Sequence, residues 1–155
     1  RVVSEAMVEL GEGEATELVA QPTTQAEYMD LARRKTGALF RAAAEVGAIA
    51  ADADPETVTA FGDYAERVGV AFQIRDDVLD ATADPEELGK PTGQDEEMER
   101  PSLVQVTDVD PETANDLARD RADAALDALD ATGADESQAL GYLRDLAEFV
   151  VVRER

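Results

Sequence analysis

The stretch Gly69 to Asp80, GVAFQIRDDVLD, reads as the carboxyl-terminal end of a helix with three carboxylates and an amide gathered on one side. At a turn of about 100° per residue, Gln73, Asp76, Asp77 and Asp80 share an arc of roughly 100°. Upstream, Val58, Phe61, Ala65, Val68 and Phe72 recur at helical spacing, and Asp54 followed by Pro55 supplies an N-cap and a first-turn proline. One helix from Pro55 to about Asp80 is therefore predicted, and its apolar stripe has to be covered by other helices.

Like charges at i,i+4 on a helix repel by about 0.2–0.5 kcal/mol per pair, and the macrodipole opposes acidic groups at a helix C-terminus. A cation among the three aspartates offsets both costs. All-oxygen ligands suit Mg²⁺, which takes one or two carboxylates and fills its other positions with waters or substrate phosphates. The plainer reading is that these are ordinary solvated side chains, since the chain holds 18 Asp.

Working outward, the pattern stays helical. Residues 1–20 place Val3, Met7, Leu10, Glu14 and Leu18 at helical spacing, with Gly11 and Gly13 interrupting and Glu14 and Glu17 read as solvated. Thr24 and Glu27 form a capping box for a helix to about Ala51, whose apolar stripe from Tyr28 to Ile49 is broken by Lys35, Thr36 and Gly37. Ala81 to Pro101 reads as a loop carrying Lys90 and Arg100, two cations able to clamp a phosphate. Asp110 and Pro111 start a helix through about Ala131, with the acidic residues at 116, 120, 123, 127 and 130 on a solvated face. Asp135 to Arg155 form the last helix, with Leu140, Leu143, Leu146, Ala147 and Val150 inward. The expectation is one all-α domain, a helix bundle over residues 1–155.

Composition narrows the function classes. The 155 residues carry 36 acidic and 14 basic side chains, a formal net charge of −22, which argues against a nucleic-acid partner. Cys and His are both absent, which removes thiolate chemistry, imidazole bases and zinc sites. Neither a membrane-length apolar run nor a signal-peptide pattern is found, so no stable membrane insertion and a cytoplasmic location are expected. The acidity of a well-patterned helical chain is read as adaptation to high salt. Against that background Lys35 and Lys90 stand out as the only two lysines. The chain opens on Arg rather than Met, which reads as a trimmed or fragmentary product.

Five segments in a fixed order carry a family resemblance. FQIRDDVLD is similar to the second aspartate-rich motif of the trans-isoprenyl diphosphate synthases, the polyprenyl synthetase family that makes geranyl, farnesyl and geranylgeranyl diphosphate. KTGALF at Lys35 to Phe40 resembles the helix segment whose Lys and Thr touch the allylic diphosphate. GKPTGQD at Gly89 to Asp95 resembles the glycine-lysine loop that follows the aspartates. GEATEL at Gly13 to Leu18 is similar to the upstream G-Q-x-x-E-L segment, and LRDLAEFVVVRER to the closing helix.

The resemblance, nearest to a haloarchaeal geranylgeranyl or farnesyl diphosphate synthase, implies the C-terminal part of the isoprenoid synthase fold, without the first aspartate-rich motif. It implies Mg²⁺ held by Asp76, Asp77 and Asp80, and an allylic diphosphate held by Lys35, Thr36, Gln73, Lys90 and Arg100. Lys35, Gln73 and Asp76 then form the catalytic set for condensation with isopentenyl diphosphate, with the departing diphosphate as general base. A homodimer, or association with a complementary synthase subunit, is the implied assembly, and this chain alone is expected to be catalytically incomplete. Two positions depart from the family: Arg100 stands in place of Lys, and Glu14 in place of Gln. A non-catalytic or regulatory synthase subunit and an acidic helical interaction module are the competing readings.

Overall fold

In the computed structural model the described residues are 1–82, 93, 101–107 and 109–153. They form seven α-helices: α1 Val2–Val19, α2 Gln25–Ala32, α3 Ala38–Ala50, α4 Pro55–Thr82, α5 Leu103–Thr107, α6 Pro111–Asp130 and α7 Gln138–Val152. No strand occurs among them, as the all-α reading expects. Nor is any described helix long and apolar enough to cross a membrane.

Local chemistry sets most of the boundaries. The Thr24 hydroxyl accepts from the Glu27 amide while the Glu27 carboxylate accepts from the Thr24 amide, closing the capping box ahead of α2. Asp54 accepts from the amides of Glu56 and Thr57, and Asp110 from those of Glu112 and Thr113. The last helix begins at Gln138 rather than Asp135, because Ser137 is the residue that caps it, accepting from the Leu140 amide. The short α5 was not expected from its sequence.

The helix expected from Thr24 to Ala51 is present but not uniform. At Arg33–Gly37 it widens into a π-helical turn that joins α2 to α3 without breaking the rod. Such turns insert one residue into a helix and re-aim the side chains around them.

Helix α4 is the central rod, with α3 on one side and α6 on the other. Two apolar clusters cover it. Tyr64, Val68 and Ala71 pack with Ala125 and Leu129 of α6 and Leu140, Ala147 and Val150 of α7. Val70, Ile74 and Val78 pack with Tyr28, Leu103, Ala114 and Ala118. The buried stripe of α6 is Ala114, Ala118, Ala122 and Ala125, small side chains that let two helix backbones come close. Its acidic residues 116, 120, 123, 127 and 130 are exposed, as expected.

Two faces differ from the sequence reading. Helix α1 buries Ala6 and Gly13, whereas Val3, Met7 and Leu18 are exposed. In α7, Leu140, Ala147 and Val150 are buried but Leu146 is exposed. In α1 small residues set the close contacts and the larger apolar ones lie to the side.

Candidate functional site

Two glycines bring the site together. A Cβ on Gly69 would lie 3.1 Å from Gly37 Cα, and one on Gly37 would lie 3.1 Å from Glu66 Cγ. The π-turn therefore crosses α4 at backbone contact, and Thr36 reaches the side chain one helical turn beyond the crossing, where its hydroxyl donates to Gln73 Oε1 at 2.8 Å. Gly13 allows a similar approach from α1, since a Cβ there would meet the Lys35 amide nitrogen at 3.1 Å. That approach sets Glu17 beside Lys35, with Oε2 2.5 Å from Nζ, and Glu14 at 3.8 Å. Glu17 is thus not the solvated residue its sequence suggested, for only 10% of its side chain is exposed.

The aspartates share one helix face but not one environment. Asp77 is buried and holds three donors: Tyr28 OH at 2.6 Å and the Leu103 amide at 2.9 Å on Oδ2, and Gln73 Nε2 at 2.9 Å on Oδ1. Hydrogen bonds to a charged group contribute about 1.5–3 kcal/mol each, so Asp77 fastens α2 and α5 onto α4. Asp76 is 37% exposed and faces the Arg153 guanidinium, with Oδ1 3.3 Å from Nη2. Asp80 is buried, and its carbonyl accepts from the Gly93 amide at 2.9 Å.

Lys35, Gln73, Asp76 and Asp77 line one cleft of about 200 Å³, together with Glu17, Tyr28 and Pro101. The amide of Gln73 is oriented from both ends, because Thr36 donates to its oxygen and a carboxylate can only accept from its nitrogen. One of its two N–H donors remains for a ligand in the cleft. Asp80 is not part of the lining. Lys90 and Arg100 lie outside the described residues.

Among the described residues no group of three or more carboxylates is arranged to hold a metal ion. The donor set still fits Mg²⁺ in its usual mode of one or two carboxylates completed by waters and phosphate oxygens, with Asp76 the most exposed of the carboxylates that line the cleft. Asp77 has at least three of its four lone-pair sites already in use. Sequence reasoning missed Tyr28, the Leu103 amide and Arg153. Tyr28 was read only as part of an apolar stripe, and the other two reach Asp77 and Asp76 across 26 and 77 residues of chain.

Comparison with known proteins places the chain in a family. The chain is 32% identical to the geranylfarnesyl diphosphate synthase of Aeropyrum pernix over its whole length, which matches 51% of that enzyme. Over 98 residues, 61% of this chain and 30% of the relative, it is 45% identical to a short chain isoprenyl diphosphate synthase of Methanocaldococcus jannaschii. The chain thus spans about half the length of these relatives or less. A polyprenyl synthase from Caulobacter crescentus, crystallised with calcium and isoprenyl diphosphate, superposes with a TM-score of 0.90 at 27% identity, over 99% of this chain and 58% of that one. The polyprenyl synthetase family model matches residues 1–143, and the chain belongs to that family.

Proposed function

We propose that this chain supplies the diphosphate-gripping side of a Mg²⁺-dependent prenyl transfer, in which an allylic diphosphate condenses head-to-tail with isopentenyl diphosphate. The observation that carries the reading is the convergence of Lys35, Gln73 and Asp76 on one cleft, with Gln73 fixed by Thr36 and Asp77. Lys35 would place its ammonium, and Gln73 its second N–H, against diphosphate oxygens. Asp76 would hold the metal that neutralises charge on the departing diphosphate. Asp77 would orient Gln73 rather than contact the ligand, which narrows the three-aspartate ligand set expected from sequence. Lys35 is held in place by Glu17, so its charge is aimed before the ligand arrives and costs no reorganisation as the C–O bond breaks.

The acidic exposed face of α6 supports adaptation to high salt. Val3, Met7 and Val8 on α1 and Leu39, Val46 and Ile49 on α3 are exposed. Association with a second copy of the chain would cover them, and a monomer in sedimentation at molar salt would contradict that.

Calorimetric titration of an allylic thiolodiphosphate analogue in the presence of Mg²⁺ tests the site. Asp76→Ala and Lys35→Ala should each weaken binding at least tenfold. Equal heats from all three proteins would remove the assignment.

A further inference from the structure

The end of α7 and the aspartate segment of α4 are tied by a reciprocal pair of arginines. Arg75 donates from Nε and Nη2 to the Arg153 carbonyl at 3.1 and 2.8 Å, and from Nη1 to Asn115 Oδ1 at 2.8 Å. In return Arg153 Nη2 lies 3.3 Å from both the Phe72 carbonyl and Asp76 Oδ1. The Arg153 guanidinium sits 3.9 Å over the Phe72 ring, and only 10% of its side chain is exposed. Its Nε is buried and has no hydrogen-bond partner among the described residues. A buried guanidinium with one nitrogen unsatisfied is a costly way merely to anchor the end of α7, because each unmet donor loses its hydration without recompense. What the arrangement delivers is a fixed positive charge against Asp76, the more exposed of the two aspartates that line the cleft.

We propose that Arg153 is a positioning residue acting through Asp76: it is the resident counter-ion of that carboxylate and limits how tightly Asp76 takes a divalent cation. The inference rests on the assignment of Asp76 to the metal. Physically, the guanidinium stabilises Asp76 when no metal is bound, and metal and guanidinium then share one carboxylate while repelling each other. Removing the arginine charge should therefore tighten metal binding. A residue that only anchored the end of α7 would loosen the site when removed, or leave its affinity unchanged.

The test titrates Mn²⁺, standing in for Mg²⁺, into the full chain at molar salt, where weak surface binding is screened, and follows the free ion by electron paramagnetic resonance. Asp76→Asn should lose the site seen in the native chain. Arg153→Gln should bind Mn²⁺ roughly 3- to 10-fold more tightly than native, and the gain should vanish in the Arg153→Gln, Asp76→Asn double variant. Phe72→Leu, which loosens the guanidinium without changing any charge, should move affinity the same way by a smaller factor and covers the case in which Arg153→Gln does not fold. If Asp76→Asn binds like native, both the site assignment and this inference fall. If Asp76→Asn loses the site while Arg153→Gln, or Phe72→Leu where Arg153→Gln does not fold, binds like native or more weakly, this inference alone is overturned.

Discussion

Gly37 and Gly69 meet at backbone contact, with 3.1 Å between the Gly37 Cα and the position a Cβ would take on Gly69. This crossing holds the π-turn of Lys35 and Thr36 against the helix of Gln73 and Asp76. Gly69→Ala should push the helices apart at a cost of about 1–3 kcal/mol from overpacking, partly offset by up to about 1 kcal/mol of helix propensity. Gly141→Ala, which meets nothing within 4 Å, should stabilise instead. Chemical denaturation of the two variants side by side checks the difference in sign.

Thr36→Val keeps the shape of the side chain and deletes the donor to Gln73 Oε1. The amide should then lose its fixed orientation, weakening affinity for a magnesium-diphosphate ligand about 5- to 10-fold, the equivalent of one hydrogen bond. The melting temperature should change little. Calorimetry together with a melting curve separates the two effects.

Much of the helical frame was legible because caps are local. Thr24 with Glu27, Asp54 with Pro55 and Asp110 with Pro111 each mark a helix start within four residues of sequence. The site was legible only in part. Helix periodicity puts Asp76 and Asp77 on the same face, and within α4 only the Gln73 amide, which donates to Asp77, tells them apart. Tyr28 and the Leu103 amide do so from other elements, by burying and satisfying Asp77 alone. The same limit hid α5, a five-residue helix whose first amide is held by Asp77. It also hid the packing of α1, where Ala6 and Gly13 make the contact that Val3, Met7 and Leu18 were expected to make.

Acid should weaken the frame at its caps. Hydrogen bonds from the Thr113 amide and then its hydroxyl lower the pKa of Asp110 below the usual aspartate value. A carboxylate depressed in the folded state contributes stability that is complete above its unfolded pKa, near 3.9, and is lost as the pH falls through the lower folded value. The melting-temperature gap between native chain and Asp110→Ala should therefore be constant above about pH 5 and narrow below about pH 4. A gap independent of pH would show that the charge on Asp110 does not matter to the cap.

Salt should stabilise the chain. With a net charge of −22 and the acidic face of α6 exposed, screening relieves repulsion that opposes the folded state. The melting temperature should rise between low and molar potassium chloride. An unchanged value would count against adaptation to high salt.

The central claim is that Lys35, Gln73 and Asp76 form one diphosphate grip. A crystal structure of the chain with Mg²⁺ and an allylic thiolodiphosphate tests it most directly. The account predicts diphosphate oxygens within hydrogen-bond reach of Lys35 Nζ and Gln73 Nε2, and a metal about 2.1 Å from an Asp76 oxygen, while Asp77 keeps its bonds to Tyr28 and Leu103. A diphosphate seated elsewhere, or a metal held by Asp77 with Asp76 still on Arg153, would contradict it.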